Sequence, residues 1–246
     1  MAEFSGKVAL VTGASSGIGR MSALYYARDG AKVIISDLNE EGGQETVKLI
    51  QKANGEAFFI KSNVAKPEDC EALVQKGLEK YGRLDIACNN AGIGGESNLT
   101  VGYSIEGWKK VIDINLSGVF YCMKYEIPAM LKTGGGAIVN LAPILGQVGF
   151  GGAVAYTAAK HGVVGLTQVA ALENSPQGIR INAVGPGFIK TPMIADIDEA
   201  MLVPLHPIGR LGKPEEVAEL IIWLSSDKAS FITGAYYPVD GGYLAR

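Results

Sequence analysis

Two residues whose types and spacing could carry out proton transfer are Tyr156 and Lys160. The segment continues into an Ala- and Val-rich run that favours a helix, which would place both side chains one turn apart on the same face. An ammonium beside a phenol favours the phenolate, so it would draw the pKa of Tyr156 down towards neutral pH. The pair is a candidate general acid and base. The alternative for so short a motif is a half-buried tyrosine beside a solvated lysine.

A glycine-rich turn near the start of the chain has the composition of an anion-binding site. The apolar run Val8–Thr12 has the pattern of a strand buried on both faces, and it leads into the turn. The turn and the first helical residues contain Gly13, Ser16, Gly17, Ile18 and Gly19. A strand, a turn of this kind and a helix N-terminus direct free backbone N–H groups and the helix dipole at a phosphate. We therefore expect a phosphate-binding loop here.

An acidic residue ends the second predicted strand. Asp37 lies 24 positions after Gly13, where a carboxylate can accept hydrogen bonds from an adenosine ribose and would repel a 2′-phosphate. Ser16 and Leu38 nearby are neutral, and no Arg or Lys accompanies them to hold a phosphate. These residues favour NAD over NADP. The alternative is that Asp37 only forms the turn before a helix capped by Asn39.

Strand and helix patterns alternate along the whole chain. Strand patterns cover residues 8–12, 32–37, 57–61, 84–89, 136–141, 180–184 and 235–239. Helical patterns follow the glycine turn and Asn39, and cover residues 67–81, 106–131, 153–172 and 214–224. Such alternation builds a parallel sheet with helices on both faces. We expect a single α/β domain over residues 1–246 with a doubly wound, Rossmann-type sheet.

Composition and charge argue against several classes of function. The 246 residues are 48% hydrophobic and 19% charged, and a net charge of −3 without a long basic run does not suit a nucleic-acid surface. The chain shows no apolar run of membrane-spanning length and no leader pattern, so we expect a cytoplasmic protein without a membrane partner. Cys70, Cys88 and Cys122 are odd in number and far apart, as reduced thiols are. His161 and His206 are the only histidines, so we expect neither a metal site nor a Ser-His-Asp triad.

Two predicted helices, 106–131 and 153–172, are apolar over more than one stripe. The apolar positions include Val111, Ile112, Ile114, Leu116, Val119, Phe120, Met123, Val154, Val163, Val164, Leu166 and Val169. Packing against a single sheet does not use so much surface, so a subunit interface accounts for the remainder. We expect a homo-oligomer.

The motifs together resemble those of the short-chain dehydrogenases/reductases, over essentially the whole chain. They are Thr12-Gly13-x-x-x-Gly17-Ile18-Gly19, Asn89-Asn90-Ala91-Gly92, Asn115, Tyr156-x-x-x-Lys160 and Pro186-Gly187-Phe188-Ile189-Lys190-Thr191. Each motif alone is modest, but their joint order and spacing are specific. The resemblance implies hydride transfer between NAD(H) and a ketone or secondary alcohol, with the chain assembled as a tetramer.

The resemblance also implies which residues bind the cofactor. Those at the pyrophosphate would be Gly13, Ser16, Gly17, Ile18 and Gly19, and those at the adenosine would be Asp37, Leu38, Asn63 and Val64. The family commonly has Asp where Asn63 stands, which weakens the adenine contact. The residues bordering the rest of the cofactor would be Asn90, Ala91, Gly92, Tyr156, Lys160, Pro186, Gly187, Ile189 and Thr191. Support of the central strand is an equally good reading of the residues from Asn90 to Gly92.

For catalysis, the resemblance implies three residues and a lid. Lys160 would hold the nicotinamide ribose besides lowering the pKa of Tyr156, and Asn115 would position a water that leads protons towards Lys160. The alternative for Asn115 is a polar residue that bends or caps a long helix. Residues 192–211 match the mobile lid over the substrate.

One position departs from the family pattern. The residue 13 positions before the tyrosine normally carries a Ser whose hydroxyl binds the substrate oxygen, and here it is Pro143. No Ser or Thr occurs between Thr133 and Thr157 to replace it. A proline at the end of a strand leaves the fold intact but removes one donor, which typically lowers turnover about 100- to 1,000-fold. Gln147 is a candidate substitute donor.

An apolar substrate pocket is expected around the catalytic pair. Its predicted residues are Glu96, Ile144, Leu145, Phe150, Phe188, Met193 and His206. The sequence favours an NAD(H)-dependent ketoreductase or secondary-alcohol dehydrogenase with Tyr156 as general acid/base and a turnover lowered by Pro143. One alternative is a dinucleotide-binding protein or impaired variant without useful chemistry. Another is a C=N reductase, because reduction of an imine needs no donor to a substrate oxygen.

Overall fold

Seven parallel strands form the sheet at the centre of the molecule. The computed structural model describes residues 2–245. The strands are β1 (Val8–Thr12), β2 (Lys32–Asp37), β3 (Glu56–Lys61), β4 (Ile86–Asn89), β5 (Gly136–Leu141), β6 (Ile179–Pro186) and β7 (Tyr236–Val239). Their order across the sheet is β3-β2-β1-β4-β5-β6-β7, and every neighbouring pair is parallel. The predicted doubly wound, Rossmann-type fold is confirmed.

Helices cover both faces of this sheet. They are α1 (Gly17–Arg28), α2 (Glu40–Lys52), α3 (Pro67–Tyr81), α4 (Ile105–Ile112), α5 (Gly118–Leu131), α6 (Val154–Asn174), α7 (Glu199–Leu202) and α8 (Pro214–Ser225). One apolar cluster joins the sheet to α1, α2 and α8, and another joins its opposite face to α3, α5 and α6. Successive strand residues point to opposite faces, so Val11 belongs to one cluster and Leu10 to the other. Burial on both faces explains why the strands are apolar without alternation.

The helix predicted over residues 106–131 is interrupted. A π-helical turn, Asp113–Ser117, separates α4 from α5. Apolar periodicity does not reveal one extra residue in a turn, so the sequence predicts a continuous helix. Such turns are frequent at functional sites, and this one contains Asn115.

The order of the strands creates a crevice at the carboxyl edge of the sheet. Strands β2 and β3 lie on one side of β1, and β4 to β7 lie on the other, so the connections after β1 and β4 diverge. Asn90 spans this point, because its Nδ2 donates to the carbonyl oxygens of Thr12 and Gly13 at 3.0 Å each. The fold therefore holds the glycine turn and the loop after β4 side by side.

Residues 2–245 contain no helix both long enough and apolar enough to cross a membrane. Over the same span there is no cluster of three or more His, Cys, Asp or Glu side chains that could hold a metal ion. Cys70, Cys88 and Cys122 are buried free thiols, and the Sγ atoms of Cys70 and Cys122 lie 3.8 Å apart.

The packing of the core predicts where shortening a side chain lowers the free energy of unfolding most. Ile138 in β5 is 1% exposed within the cluster against α3, α5 and α6. Ile138→Ala should lower the free energy of unfolding by about 2–5 kcal/mol, because it removes buried apolar surface and leaves a cavity. Val101→Ala, at a side chain 96% exposed, should change it by less than about 0.5 kcal/mol. Denaturant titration of both variants measures this, and equal effects would contradict the assignment of the core.

Candidate active site

Glycines allow the turn after β1 to pass very close to its neighbours. Gly13 and Gly17 have φ angles of 65° and 54°, in the left-handed region that favours glycine. A Cβ on Gly19 would overlap the Gly13 carbonyl oxygen and the Asn90 amide. Ser16 is the N-cap residue of α1, and its side chain makes no cap hydrogen bond. The turn thus presents the open N-terminus of α1, where an anion is favoured.

Arg20 anchors the glycine turn to α2, a role that the sequence does not reveal. Its Nε donates to Thr46 Oγ1 at 3.0 Å, and its guanidinium also donates to the carbonyl oxygens of Ser15 and Gly42. Thr46 Oγ1 in turn donates to the Ala14 carbonyl at 2.8 Å. No motif marks Arg20, because its acceptors are mostly backbone carbonyls, which are the same for any sequence.

Asp37 forms the turn that its sequence position allows, and it also lines a cavity. Its Oδ2 accepts from the Ser15 backbone N–H at 3.0 Å, and its Oδ1 accepts from the Asn39 N–H at 2.9 Å. The side chain of Asn39 caps α2, so the predicted turn before a capped helix is present. Asp37 also lines the cavity beside the glycine turn. The turn contact therefore orients the carboxylate towards a place where a ligand could meet it.

A cleft runs along the carboxyl edge of the sheet from Asp37 to Tyr156, and we call it the glycine-loop cleft. It comprises a cavity of about 260 Å³ and a smaller one of about 150 Å³ beyond Asp37. The predicted cofactor residues that line it are Gly13, Ser16, Gly17, Ile18, Asp37, Leu38, Asn63, Val64, Asn90, Ala91, Gly92, Tyr156, Lys160, Pro186 and Thr191. Gly19 instead lies buried within the turn, and Gly187 and Ile189 line the neighbouring pocket. The structure thus brings together residues that are far apart in the chain.

Asn63 is partly committed to its own loop. Its Oδ1 accepts from the Ala65 N–H at 3.1 Å, and its backbone N–H donates to Asp69 Oδ2 at 3.0 Å. Val64 packs with the buried side chains of Cys70 and Cys122 on the inner side of the same loop. Asn63 therefore shapes the wall of the glycine-loop cleft as well as lining it.

The predicted catalytic pair, Tyr156 and Lys160, lies on α6, with the lysine buried beneath the tyrosine. Lys160 is 2% exposed, and its Nζ donates to the Leu141 carbonyl oxygen at 3.0 Å. The Nζ lies 5.6 Å from the centroid of the Tyr156 ring. The ammonium is therefore close to the ring but hydrogen-bonded to the end of β5.

The prediction that the pKa of Tyr156 falls towards neutral pH is wrong. Burial raises the pKa of Tyr156 well above its ordinary value, and burial lowers the pKa of Lys160 to about 8. The physical reason is that a buried site disfavours both charged forms, the phenolate and the ammonium. Spacing on a helix predicts proximity, but it does not reveal how much water the finished fold removes.

Asn115 is held rigidly in the π-helical turn. Its Oδ1 accepts from the Ile93 N–H and its Nδ2 donates to the Ile93 carbonyl, both at 2.8 Å. A Cβ on Gly92 would lie 2.9 Å from Asn115 Oδ1 and 3.6 Å from Lys160 Nζ. Gly92 therefore lets the loop after β4 fit between Asn115 and Lys160.

A second cavity, of about 310 Å³, adjoins the glycine-loop cleft at Tyr156, and we call it the apolar pocket. The predicted residues that line it are Glu96, Ile144, Leu145, Phe150, Phe188 and Met193. Ile194 and Ile197 of the segment 192–211 also line it, and the sequence prediction missed them. Their apolar side chains in the segment predicted to cover the substrate were the available signal.

Two predicted pocket residues are engaged elsewhere. Glu96 lines the pocket, but its carboxylate accepts hydrogen bonds from the backbone N–H and hydroxyl of Ser104, which lower its pKa. It thereby ties its loop to the start of α4. The prediction for His206 is wrong, because the ring is 3% exposed and outside the pocket lining. Its Nδ1 pairs with the Leu202 carbonyl at 3.0 Å and its Nε2 accepts from the Phe188 N–H at 3.1 Å, so it fastens α7 to the loop after β6.

Pro143 lines both the apolar pocket and the glycine-loop cleft, between the end of β5 and a 3₁₀ turn, Ile144–Gly146. The hypothesis that Gln147 replaces a hydroxyl there is wrong, since Gln147 is exposed and lies outside the lining of both cavities. The 3₁₀ turn reverses the chain before that residue. Among the described residues, the hydroxyls that do line the apolar pocket belong to Ser97, Tyr156 and Thr191.

Comparison with known proteins agrees with this geometry. A family model described as enoyl-(acyl carrier protein) reductase matches residues 13–244. Similar proteins include cyclohexanol dehydrogenase from Acinetobacter sp. (strain SE19), 54% identical over 99% of this chain and 97% of that protein, and cis-4-hydroxycyclohexanecarboxylate dehydrogenase from Sinomonas cyclohexanicum, 41% identical over 98% of each. The crystal structure of carveol dehydrogenase from Mycobacterium avium in complex with NAD superposes with a TM-score of 0.97 at 30% identity, over 100% of both chains. The chain belongs to the short-chain dehydrogenases/reductases, and it is an oxidoreductase of the alcohol-dehydrogenase kind.

Proposed function

We propose that the protein is an NAD(H)-dependent dehydrogenase that interconverts a cyclic secondary alcohol and its ketone. The observation that carries the proposal is that Tyr156 lines both the glycine-loop cleft and the apolar pocket. A dinucleotide in the cleft would end where an apolar ring in the pocket begins. Transfer of a hydride and a proton requires this adjacency of cofactor, substrate and acid/base group.

The residues along the glycine-loop cleft suit NAD better than NADP. Asp37 places a carboxylate where a 2′-phosphate would be repelled, and Leu38 beside it is uncharged. Among the described residues that line the cleft, Lys160 is the only basic side chain, and it belongs to the catalytic pair. The glycine turn would hold the pyrophosphate at the N-terminus of α1.

Tyr156 is the proposed proton carrier. A bound nicotinamide supplies the acceptor or donor of the hydride. In alcohol oxidation, the Oη of ionised Tyr156 takes the hydroxyl proton while the carbinol C–H bond breaks and its electron pair leaves with the hydride. In ketone reduction, Oη gives the proton to the carbonyl oxygen. Because burial raises its pKa, the phenol keeps its proton at neutral pH and is ready for reduction.

Lys160 and Asn115 support Tyr156 in this proposal. The Lys160 ammonium is the positive charge next to the ring, and it would offset part of the cost that burial places on the phenolate needed for oxidation. Its remaining N–H groups would hold the ribose next to the nicotinamide. Asn115 faces Lys160 across Gly92, where a water could lead protons away from the pair.

A ring-shaped apolar substrate fits the shape and chemistry of the pocket. Its lining is dominated by aliphatic and aromatic side chains, and the carboxylate of Glu96 is already occupied by Ser104. The similar proteins named for cyclohexanol and for a hydroxycyclohexanecarboxylate act on six-membered rings, as their names state. We propose a cyclohexanol-like alcohol as the substrate class.

We also propose that the chain assembles with copies of itself, as a tetramer. Large apolar side chains remain exposed in the isolated chain on α5, on α6 and beside β7. They include Phe120 at 47%, Val169 at 53%, Leu172 at 80% and Phe231 at 101% exposure. Apolar surface of this kind on a single chain is typical of a subunit interface.

The proposed function predicts the effect of removing the phenol hydroxyl. Wild-type enzyme should oxidise cyclohexanol with NAD at least about tenfold faster than with NADP. Tyr156→Phe should lower kcat about 100- to 10,000-fold while leaving the affinity for NADH unchanged, because only the proton carrier is lost. Tyr25→Phe on α1 is the matched control. Steady-state absorbance and NADH fluorescence measure both quantities, and activity within threefold of wild type would contradict the role of Tyr156.

A second prediction concerns the residue at position 143. Pro143→Ser should raise turnover of cyclic ketones at least about tenfold, because it adds a donor to the substrate oxygen. Gln147→Ala should change nothing, since that side chain lies outside the pocket. The measurement is the turnover of cyclohexanone with NADH and with NADPH. Turnover of cyclic imines, measured in parallel, tests the alternative of a C=N reductase. If wild type and Pro143→Ser both turn over cyclohexanone well and at equal rates, the absence of a hydroxyl at position 143 does not limit turnover.

A third prediction tests the glycine turn. Gly19→Ala should weaken NADH binding at least about tenfold, since its Cβ would displace the Gly13 carbonyl and the Asn90 amide. Gly165→Ala is the matched control, because a Cβ at that helical position meets nothing within 4 Å. Fluorescence titration with NADH measures both affinities. Unchanged binding in a folded Gly19→Ala protein would place the cofactor elsewhere.

A further inference from the structure

A buried carboxyl group lies beneath the active site and is not used by the proposed mechanism. Glu126 on α5 is 0% exposed. Asn89 at the end of β4 donates through Nδ2 to Glu126 Oε2 and to Asn140 Oδ1, both at 3.0 Å. Asn140 of β5 donates through its own Nδ2 to Thr167 Oγ1 on α6, also at 3.0 Å. One hydrogen-bonded network, which we call the Glu126 network, therefore connects the central strands β4 and β5 with helices α5 and α6.

The residues that follow Asn89 and Asn140 shape the active site. Asn90 holds the glycine turn through the carbonyl oxygens of Thr12 and Gly13. The Leu141 carbonyl accepts the hydrogen bond from Lys160. The Glu126 network thus fixes the two strands one residue before the points where they meet the cofactor loop and the catalytic lysine.

The network lacks donors. Glu126 Oε1 and Asn89 Oδ1 are both buried acceptors without a hydrogen-bond partner among residues 2–245. Two unpaired acceptors in one sealed network are costly, and a proton on the carboxyl group adds a donor. The hydrogen bonds alone therefore favour a neutral Glu126.

The charged and titratable neighbours agree with a neutral group. No cation forms an ion pair with Glu126 in the described part of the chain. The titratable groups near it on its own face of the sheet are the thiols of Cys122 on α5 and of Cys70 on α3 beside Cys122, while β5 and α6 contribute the uncharged Asn140 and Thr167. The thiol of Cys88 on β4 interacts with it from the opposite face, where Cys88 packs with α1. Burial raises the pKa of Cys88, and the contact with Cys70 together with burial raises the pKa of Cys122, so these thiols stay neutral. Burial also raises the pKa of Glu126 to about 7.

We propose that Glu126 is a positioning residue that works as a neutral carboxylic acid and aligns the ends of β4 and β5 beneath the catalytic pair. When Glu126 ionises, the buried charge strains the Glu126 network and displaces the Leu141 carbonyl from Lys160. The kinetic consequence rests on the role proposed above for Lys160, whereas the protonation state of Glu126 does not depend on it.

The sign of the pH effect follows from the raised pKa. The folded protein keeps a proton on Glu126 up to about pH 7, whereas the unfolded chain loses it near 4.5. The neutral group therefore contributes its full stability below about pH 4.5, and this contribution is lost as the pH rises through 7. Glu126→Gln keeps the shape and the hydrogen bond from Asn89 but cannot ionise, so it should not show this loss.

The first experiment observes the proton in the unmutated enzyme. In a carboxyl ¹³C NMR titration of glutamate-labelled protein, one Glu resonance should titrate near pH 7, and it should be missing in Glu126→Gln. Glu45→Gln, at an exposed position on α2, is the matched control and should leave the resonance that titrates near pH 7 in place. If every Glu carboxyl of the wild type titrates below about pH 5.5, the proposal is overturned whether or not the variant folds.

The second experiment separates positioning from mere stability. The thermal midpoint of the wild type should fall relative to Glu126→Gln by at least about 3 °C between pH 5 and 8. The ratio of kcat/KM of Glu126→Gln to that of wild type should rise at least about threefold between pH 6 and 8.5, in a single-proton step, while Glu45→Gln keeps a constant ratio. A ratio independent of pH would overturn the positioning role even if Glu126 holds its proton. If the wild type shows no activity on cyclohexanol while one Glu resonance titrates near pH 7, the proposed substrate is rejected and the protonation state of Glu126 is not.

Discussion

The burial of the Lys160 ammonium is the constraint on which the active site depends. A charge that is 2% exposed is costly unless its hydrogen bonds are satisfied, and the protein offers it the Leu141 carbonyl at the end of β5. No carboxylate within residues 2–245 pairs with it. The site therefore holds an ammonium with N–H groups to spare beside the phenol of Tyr156. This arrangement suits a lysine that binds a hydroxyl-bearing ligand and assists a proton carrier.

The rest of the fold brings other groups to this lysine without allowing water to surround it. Glycines make this possible, because Gly92 lets its loop pass between Lys160 and Asn115 where any larger residue would collide. The reversal of strand order at β1 and β4 opens the crevice, and the Asn90 side chain keeps its two edges in register. Backbone carbonyls rather than charged side chains provide most of these contacts, so the geometry is set by the sheet itself.

The sequence predicts the sheet well because its strands are buried on both faces and therefore uniformly apolar. It also predicts that the glycine turn and Asp37 line one cleft, since both have fixed positions relative to the first two strands. The π-helical turn escapes prediction because a one-residue irregularity leaves the apolar pattern of α4 and α5 almost unchanged. The pKa of Tyr156 was predicted in the wrong direction, because desolvation depends on everything packed around α6. Glu96 and His206 illustrate a third limit: a loop sequence does not show which backbone groups its polar side chains will bind.

Among the described residues, Tyr156 is the acid/base side chain that lines both the apolar pocket and the glycine-loop cleft, and Pro143 beside it has no hydroxyl. We propose that the Tyr156 phenol faces both the ring substrate and the nicotinamide. A crystal structure of the enzyme with NADH and cyclohexanone would test it most directly. We expect the ketone oxygen within about 3 Å of Tyr156 Oη, with the ring among the apolar side chains and the nicotinamide against its carbonyl carbon. A ketone bound with its oxygen away from Tyr156, or a cofactor bound outside the glycine-loop cleft, would contradict the proposed role of Tyr156.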